Sequence, residues 1–226
     1  MATIGGANSV NKNLAIHFDM GNPDSYPGSG TVLYDLSGNG RNGTLNNGPT
    51  FSTDGNGCLV FDGVDDTVTT TFNTLTSSTT FEIWANRNAS INTYNMMFGM
   101  YLPYFAFNSS NSLHFSSNIN GQKNIFSNTA SKAVFNKIWY CFHFISKYDG
   151  VSTTVSMYVN GVYVIEQSHT GQQATPTIHP LVLGNWRPVV DYPFQGKIAT
   201  VKGYTTALTA QEVLQNYNAT KGRFGL

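Results

Sequence analysis

The chain has 226 residues, of which 11% are charged, and its twelve basic and twelve acidic residues give a formal net charge of zero. That balance leaves no electrostatic footprint for nucleic acid or an anionic membrane surface, and no window is apolar for long enough to span a bilayer. Aromatic residues at 13%, abundant Thr, Val, Asn and Gly and little Leu-Ala-Glu-Lys patterning favour strands and turns, and the length suits one β-sandwich domain with a sizeable core.

Residues 1–13 (MATIGGANSVNKN) are small and polar, and read as an arm that is ordered only where something holds it. They have neither the cationic start nor the apolar run of a secretory signal, which points to a protein kept in the cytoplasm or assembled there into a larger particle. Leu14, Ile16 and Phe18 then alternate with Ala15, His17 and Asp19 as in a half-buried strand, with His17 on the outward face. Pro23 and Pro27 exclude helix and central strand from the following loop. From Tyr34 to Val68 the chain is dense in Gly, Asn and Asp between short apolar segments such as Cys58-Leu59-Val60-Phe61, so the backbone must turn back repeatedly through positive φ. This is the corner of a β-sandwich rather than an αβ crossover.

Thr67–Phe72 and Thr79–Asn86 are expected strands, the second with Phe81, Ile83 and Ala85 on one face and Glu82, Trp84 and Asn86 on the other. Residues 94–107 are interrupted by Gly99 and Pro103, so they divide into two short strands, whose methionines and aromatics are read as core filling. Leu113–Phe115 and Lys123–Phe126 form a meander around Asn120-Gly121. Lys137–Tyr148 is a central strand, in which His143 is read as a satisfied sheet residue rather than a ligand. Cys58 and Cys141, both inside apolar runs, are read as buried thiols.

Asn160-Gly161 predicts a type I′ hairpin over Ser152–Gln167, with Val159 facing Val162, Met157 facing Val164, Val155 facing Glu166, and Tyr158 paired with Tyr163 on the opposite, covered face. Pro180–Gly184 and Phe194–Tyr204 are further strands. Thr209-Ala210-Gln211-Glu212 is a capping box opening a helix with Val213, Leu214 and Tyr217 as its apolar stripe and Gly222 as its end.

Together, LAIHFDMGNPDSYPGSGTVLYDLSGNGRNGTLNNGPTF, LVFDGVDD and FQGKIATVKGYTTALTAQEVLQNYNATKGRFGL resemble the laminin-G/pentraxin-like branch of the concanavalin A-like lectin/glucanase superfamily, in the form found in virion proteins of tailed, especially marine, bacteriophages. The resemblance spans residues 14–226. It implies an all-β jelly roll of two antiparallel sheets with one short C-terminal helix, whose opening and closing segments lie side by side. It does not imply an activity, since the same fold carries lectins, adhesion modules, glycosidases and structural parts.

A retaining glycosidase on this fold needs two carboxylates about 5 Å apart, usually from a Glu-x-Asp-x-x-Glu strand, and no such string exists here. Glu82 and Glu166 stand alone, Glu212 caps the helix, and no Ser or Cys sits in a glycine elbow. No catalytic residue is expected, and a glycoside hydrolase is only a remote alternative. Many members of the superfamily bind calcium, for which the resemblance offers Asp62, Asp65 and Asp66, with Asp19 and Asp35 nearby. Asx-type turns explain Asp35 and Asp62 without metal, so no cofactor is required although calcium remains open. For glycan binding, Trp186 and Tyr192 with Arg187 and Asp191 form the aromatic and polar loop that could stack on a sugar ring. The leading expectation is a non-enzymatic structural or decoration protein of a phage virion, in contact with other virion proteins and with copies of itself. The alternative is an adhesion module that recognises a host surface glycan.

Overall fold

The computed structural model describes residues 8–73, 75–88, 94–100, 103–108, 112–119, 122–128, 137–173, 179–185 and 192–226. In chain order the strands are β1 (Leu14–Asp19), β2 (Val32–Leu33), β3 (Gly43–Asn46), β4 (Thr50–Ser52), β5 (Cys58–Asp62), β6 (Thr67–Thr70), β7 (Thr79–Arg87) and β8 (Asn95–Gly99). They continue as β9 (Tyr104–Phe107), β10 (Leu113–Ile119), β11 (Gln122–Asn128), β12 (Trp139–Tyr148), β13 (Ser152–Val159), β14 (Val162–Thr170), β15 (Val182–Leu183) and β16 (Gln195–Tyr204). Helix α1 (Ala210–Thr220) runs into a 3-10 turn at Lys221–Phe224.

Among the described residues, two eight-stranded antiparallel sheets face each other. Sheet A runs β14-β13-β12-β7-β16-β5-β4, and sheet B runs β11-β10-β9-β8-β15-β6-β3-β2. In sheet A, β7 lies along one edge of β16, while β5 pairs Gln195–Ile198 and β1 pairs with Thr200–Tyr204 along the other. The first and last strands are therefore neighbours, as the terminal motifs imply. Ile16, Phe18, Phe81, Ile83, Met97, Phe105, Phe142, Phe144, Met157 and Val201 belong to the core between the sheets, as alternation predicts for inward faces.

The Tyr34–Val68 block crosses between the sheets, with β3 and β6 in sheet B and β4 and β5 in sheet A, so it does form a corner. Its tightest point is Gly57, at φ 112°, where a Cβ would sit 2.5 Å from the Cα of Gly21. Only glycine lets these two backbones approach so closely.

The hairpin turn is as expected, with Asn160 and Gly161 at φ 52° and 73° and Val159 opposite Val162. Tyr158 opposes Tyr163, their rings edge-on at 5.7 Å. Beyond them the expected register is wrong. A bulge between Met157 and Tyr158 sets Met157 opposite Ile165, Ser156 opposite Glu166 and Val155 opposite Gln167. The extra residue lets β13 keep Val155, Met157 and Val159 in the core while β14 lies at the sheet edge with Val162 and Tyr163 exposed. The tyrosine pair is thus half covered, through Tyr158 alone.

Three further readings change. The helix does not end at Gly222, which lies inside the 3-10 turn; Gly225, at φ 73°, takes the left-handed position. Leu214 is exposed, and Asn216 is buried in the face expected to be apolar. In residues 94–107 the division into two strands holds, but Met96, Tyr104 and Ala106 form a separate cluster from the core that takes Met97, Phe98, Met100, Phe105 and Phe107. The capping box is present as expected, and Cys58 and Cys141 are buried free thiols.

Candidate binding site

Strand register builds a charged row across the outer face of sheet A. Tyr158 stands opposite His143, His143 opposite Glu82, Glu82 opposite Lys202 and Lys202 opposite His17. Glu82 and His143 are fully buried. Lys202 Nζ lies 3.1 Å from Glu82 Oε1, and His143 Nε2 lies 3.2 Å from Oε2. Asn216 of α1 donates to Oε2 at 2.8 Å and to Tyr204 Oη at 2.9 Å. Burial alone would raise the Glu82 carboxyl, but Lys202 and His143 outweigh it and hold that carboxyl far below its ordinary range.

Cys141 Sγ is 3.7 Å from His143 Nδ1, so thiol, imidazole and carboxylate fall in the order of a nucleophile triad. The chemistry does not follow from the order. Cys141 is fully buried, and desolvation with Glu82 beside it pushes its thiol well above the ordinary value. Nor do Glu82, Cys141 and His143 suit a metal ion, because the Lys202 ammonium already occupies the cation's place against the carboxylate. The row holds the fold together. The arm is held here too: Val10 N donates to Asn216 Oδ1 at 2.8 Å, Tyr204 Oη to Val10 O, and Lys202 Nζ to Ser9 Oγ at 3.1 Å. Beside the row, the Trp84 ring is stacked against Phe224 at 4.2 Å and Tyr217 at 5.8 Å, so the C-terminal segment covers this face.

The outer face of sheet B carries aromatic rings instead. Of the four residues singled out for glycan binding, Trp186, Arg187 and Asp191 lie outside the described residues; Tyr192 lies within them and is half-buried. Its ring meets Tyr94 edge-on at 5.6 Å, and its carbonyl accepts from Met96 N at 3.2 Å. Tyr94 in turn meets His114 edge-on at 5.0 Å, and His114 is stacked on Tyr104 at 5.6 Å with Nε2 3.3 Å from the phenol oxygen. Two half-buried phenols above a buried histidine and tyrosine make a supported aromatic ledge, of the kind that can take the face of a sugar ring. Sequence reasoning found Tyr192 but missed Tyr94, Tyr104 and His114. The signal was the interruption at Pro103, which returns Tyr104 to the outer face beside Met96.

The carboxylates of Asp62, Asp65 and Asp66 lie within 4.8 Å of one another in the turn from β5 to β6. Asp62 Oδ1 accepts from Val64 N at 2.7 Å, which is the expected Asx turn, and Asp66 Oδ2 accepts from Asp62 N at 2.9 Å. Burial, then the neighbouring carboxylates, raise the Asp66 carboxyl above its ordinary value. An all-oxygen set under mutual repulsion fits a hard cation such as calcium, which would supply charge neutralisation there. Asp35 needs no ion: burial opposes its charge, but the amides of Ser37, Arg41 and His17 outweigh that and lower its carboxyl. Asp19 pairs with Arg223 at 2.6 Å.

No curated protein shows significant sequence similarity to the chain. Among solved structures, domain 4 of AbnA, an extracellular arabinanase from Geobacillus stearothermophilus in complex with arabinotriose, is similar with a TM-score of 0.67 at 17% identity, over 91% of this chain and 98% of that one. The binding domain of Paraclostridial Mosquitocidal Protein 1 gives 0.70 at 14% identity over 92% of this chain and 52% of its own, and the receptor-binding domain of botulinum neurotoxin type G gives 0.66 at 12% over 91% and 51%. The chain thus spans about half the length of those toxin domains, and the likeness is one of fold. The family model described as concanavalin A-like lectin/glucanases superfamily matches residues 61–214. With its two antiparallel sheets and its paired terminal strands, the chain belongs to the concanavalin A-like lectin/glucanase superfamily.

Proposed function

We propose that this protein is a non-catalytic recognition module that binds a glycan on the Tyr94/Tyr192 ledge, displayed on the virion of a tailed phage. The ledge is the observation that carries the reading: half-buried rings beside the paired strands β8 and β9 offer a sugar face a platform. The burial of the Cys141-His143-Glu82 order favours binding over catalysis, and the arabinotriose held by the arabinanase domain supports a saccharide as ligand. Trp186, Arg187 and Asp191, which precede Tyr192 in the sequence, are proposed as further members of the site. The virion setting, with other virion proteins and further copies of the chain as neighbours, rests on the terminal sequence motifs.

A glycan array that includes arabinan oligosaccharides tests the recognition role. Binding by the unaltered chain, lost in Tyr192→Ala and in Trp186→Ala, is the expected result; no binding to any glycan would leave only the structural role. Mass spectrometry of purified phage particles tests the setting, and absence of the chain from them would remove it. For calcium, a melting temperature raised by more than about 1 °C at millimolar ion in the unaltered chain but not in Asp66→Asn would assign the Asp62/Asp65/Asp66 turn as its site.

A further inference from the structure

A second cavity lies on the opposite side of the sandwich from the aromatic ledge. Its floor is a four-residue patch on paired strands: His17 stands opposite Lys202 and Asp19 opposite Thr200, all on the outer face of β1 and β16. Ser9 of the arm and Arg223 of the 3-10 turn form its sides, enclosing about 580 Å³. Cross-strand neighbours are about 5 Å apart and alternate residues along a strand about 6.7 Å, so the patch has the dimensions of a sugar ring.

The unused hydrogen-bonding capacity of the patch defines what fits it. Thr200 is 2% exposed, and its Oγ1 has no hydrogen-bond partner among the described residues. A buried hydroxyl left in this state costs on the order of 1–3 kcal/mol, which a ligand would recover. Asp19 Oδ1 takes both Arg223 Nη1 and Gly21 N, leaving Oδ2 for another donor. Lys202 Nζ uses two of its three protons, on Glu82 and Ser9. His17 is neutral near pH 7, since burial and then Lys202 lower it to about 4, so its ring offers one donor or one acceptor. The charges are already matched, Lys202 with Glu82 and Asp19 with Arg223. An incoming anion would meet two carboxylates and an incoming cation two basic groups, whereas a neutral hydroxyl can donate to Asp19 and accept from Lys202.

We propose that this cavity is a binding site for a neutral polyhydroxylated ligand of one or two sugar rings, separate from the aromatic ledge. Nuclear magnetic resonance of the full chain tests it, following the amides of Thr200 and Lys202 and the His17 ring. The probes are L-arabinose, D-galactose, D-glucose and myo-inositol, each titrated separately, with inorganic phosphate and methylammonium as charged counterparts. At least one neutral probe should give saturable shifts at these positions with a dissociation constant of about 10 mM or tighter.

Thr200→Val should weaken that binding at least about fivefold while leaving the melting temperature unchanged or raised, because it removes the orphaned hydroxyl. Gly222→Trp, at an exposed position where a Cβ meets nothing within 4 Å, should abolish binding by filling the mouth. No shift from any neutral probe at about 100 mM, or equal binding of phosphate or methylammonium, would overturn the proposal. Tyr192→Ala separates the two sites: it should remove binding at the ledge and leave the cavity titration intact. If it removed the cavity shifts as well, they would be secondary to the ledge and this site would fall.

Discussion

The outer faces of the two sheets are built from opposite materials. Sheet A presents a buried carboxylate, lysine and histidine and covers them with the chain's own arm and C-terminal helix. Sheet B presents Tyr94, His114, Tyr104 and Tyr192, with two of the phenols only half covered. The difference teaches that the charged row at the centre of sheet A closes the fold, with only its margin at His17 and Asp19 bordering a cavity, whereas sheet B leaves aromatic rings half covered.

The contrast predicts that changes under sheet A's cover affect stability without touching the ledge, and that changes at the ledge do the reverse. The largest effect is expected for Glu82→Gln, which strands the Lys202 ammonium in a buried site and should cost about 3–5 kcal/mol in urea denaturation. A loss under about 1 kcal/mol would mean that water reaches the row. Phe224→Ala removes a half-buried ring from Trp84 and Trp139 and should cost about 2–3 kcal/mol with a red shift of tryptophan emission.

Acid acts in the same direction. His17 binds its proton more weakly in the folded chain, at about 4 against an ordinary 6.5, so its contribution is complete above pH 6.5 and is lost as pH falls from there to 4. The depressed Glu82 carboxyl adds a further loss below its ordinary value of 4.5. The melting temperature should therefore fall between pH 6.5 and 4, and less steeply in His17→Gln; equal slopes would show that His17 is not desolvated. Tyr192→Ala should cost under about 1 kcal/mol while removing glycan binding. Smallest of all, Tyr163→Ala, at a position 52% exposed on the edge strand, should change stability by under about 0.5 kcal/mol.

Where the fold is dictated by local chemistry, it was legible in the sequence. Asn160-Gly161 gave its turn because both residues tolerate positive φ, and Thr209 with Glu212 gave the helix start because each satisfies the other's backbone. The bulge beside Tyr158 was not legible, since nothing within the hairpin reveals which neighbour in the core its strands must match. Alternation put Glu82 on the outward face, but its partners come from β12, β16 and α1, and only strand register reveals that they converge. The same holds for the ledge. Tyr192 stood out as an aromatic in a loop, while Tyr94 and Tyr104 lay in a run that reads as core until the reversal at Pro103 separates its two faces.

The position of β16 bears on how the protein is made. Residues 195–204 lie between β7 on one side and β5 and β1 on the other, so sheet A has an open slot until these residues have been synthesised. Strands emerging earlier must wait with unpaired edges, and pairing of β1 with β16 across so long a stretch of sequence carries the slow kinetics of a high contact order. Ribosome-bound chains halted before residue 195 should then be protease-sensitive in β1 and β5 and captured by chaperones. Insertion of β16 would close sheet A, and α1 with the segment after it would then cover its outer face.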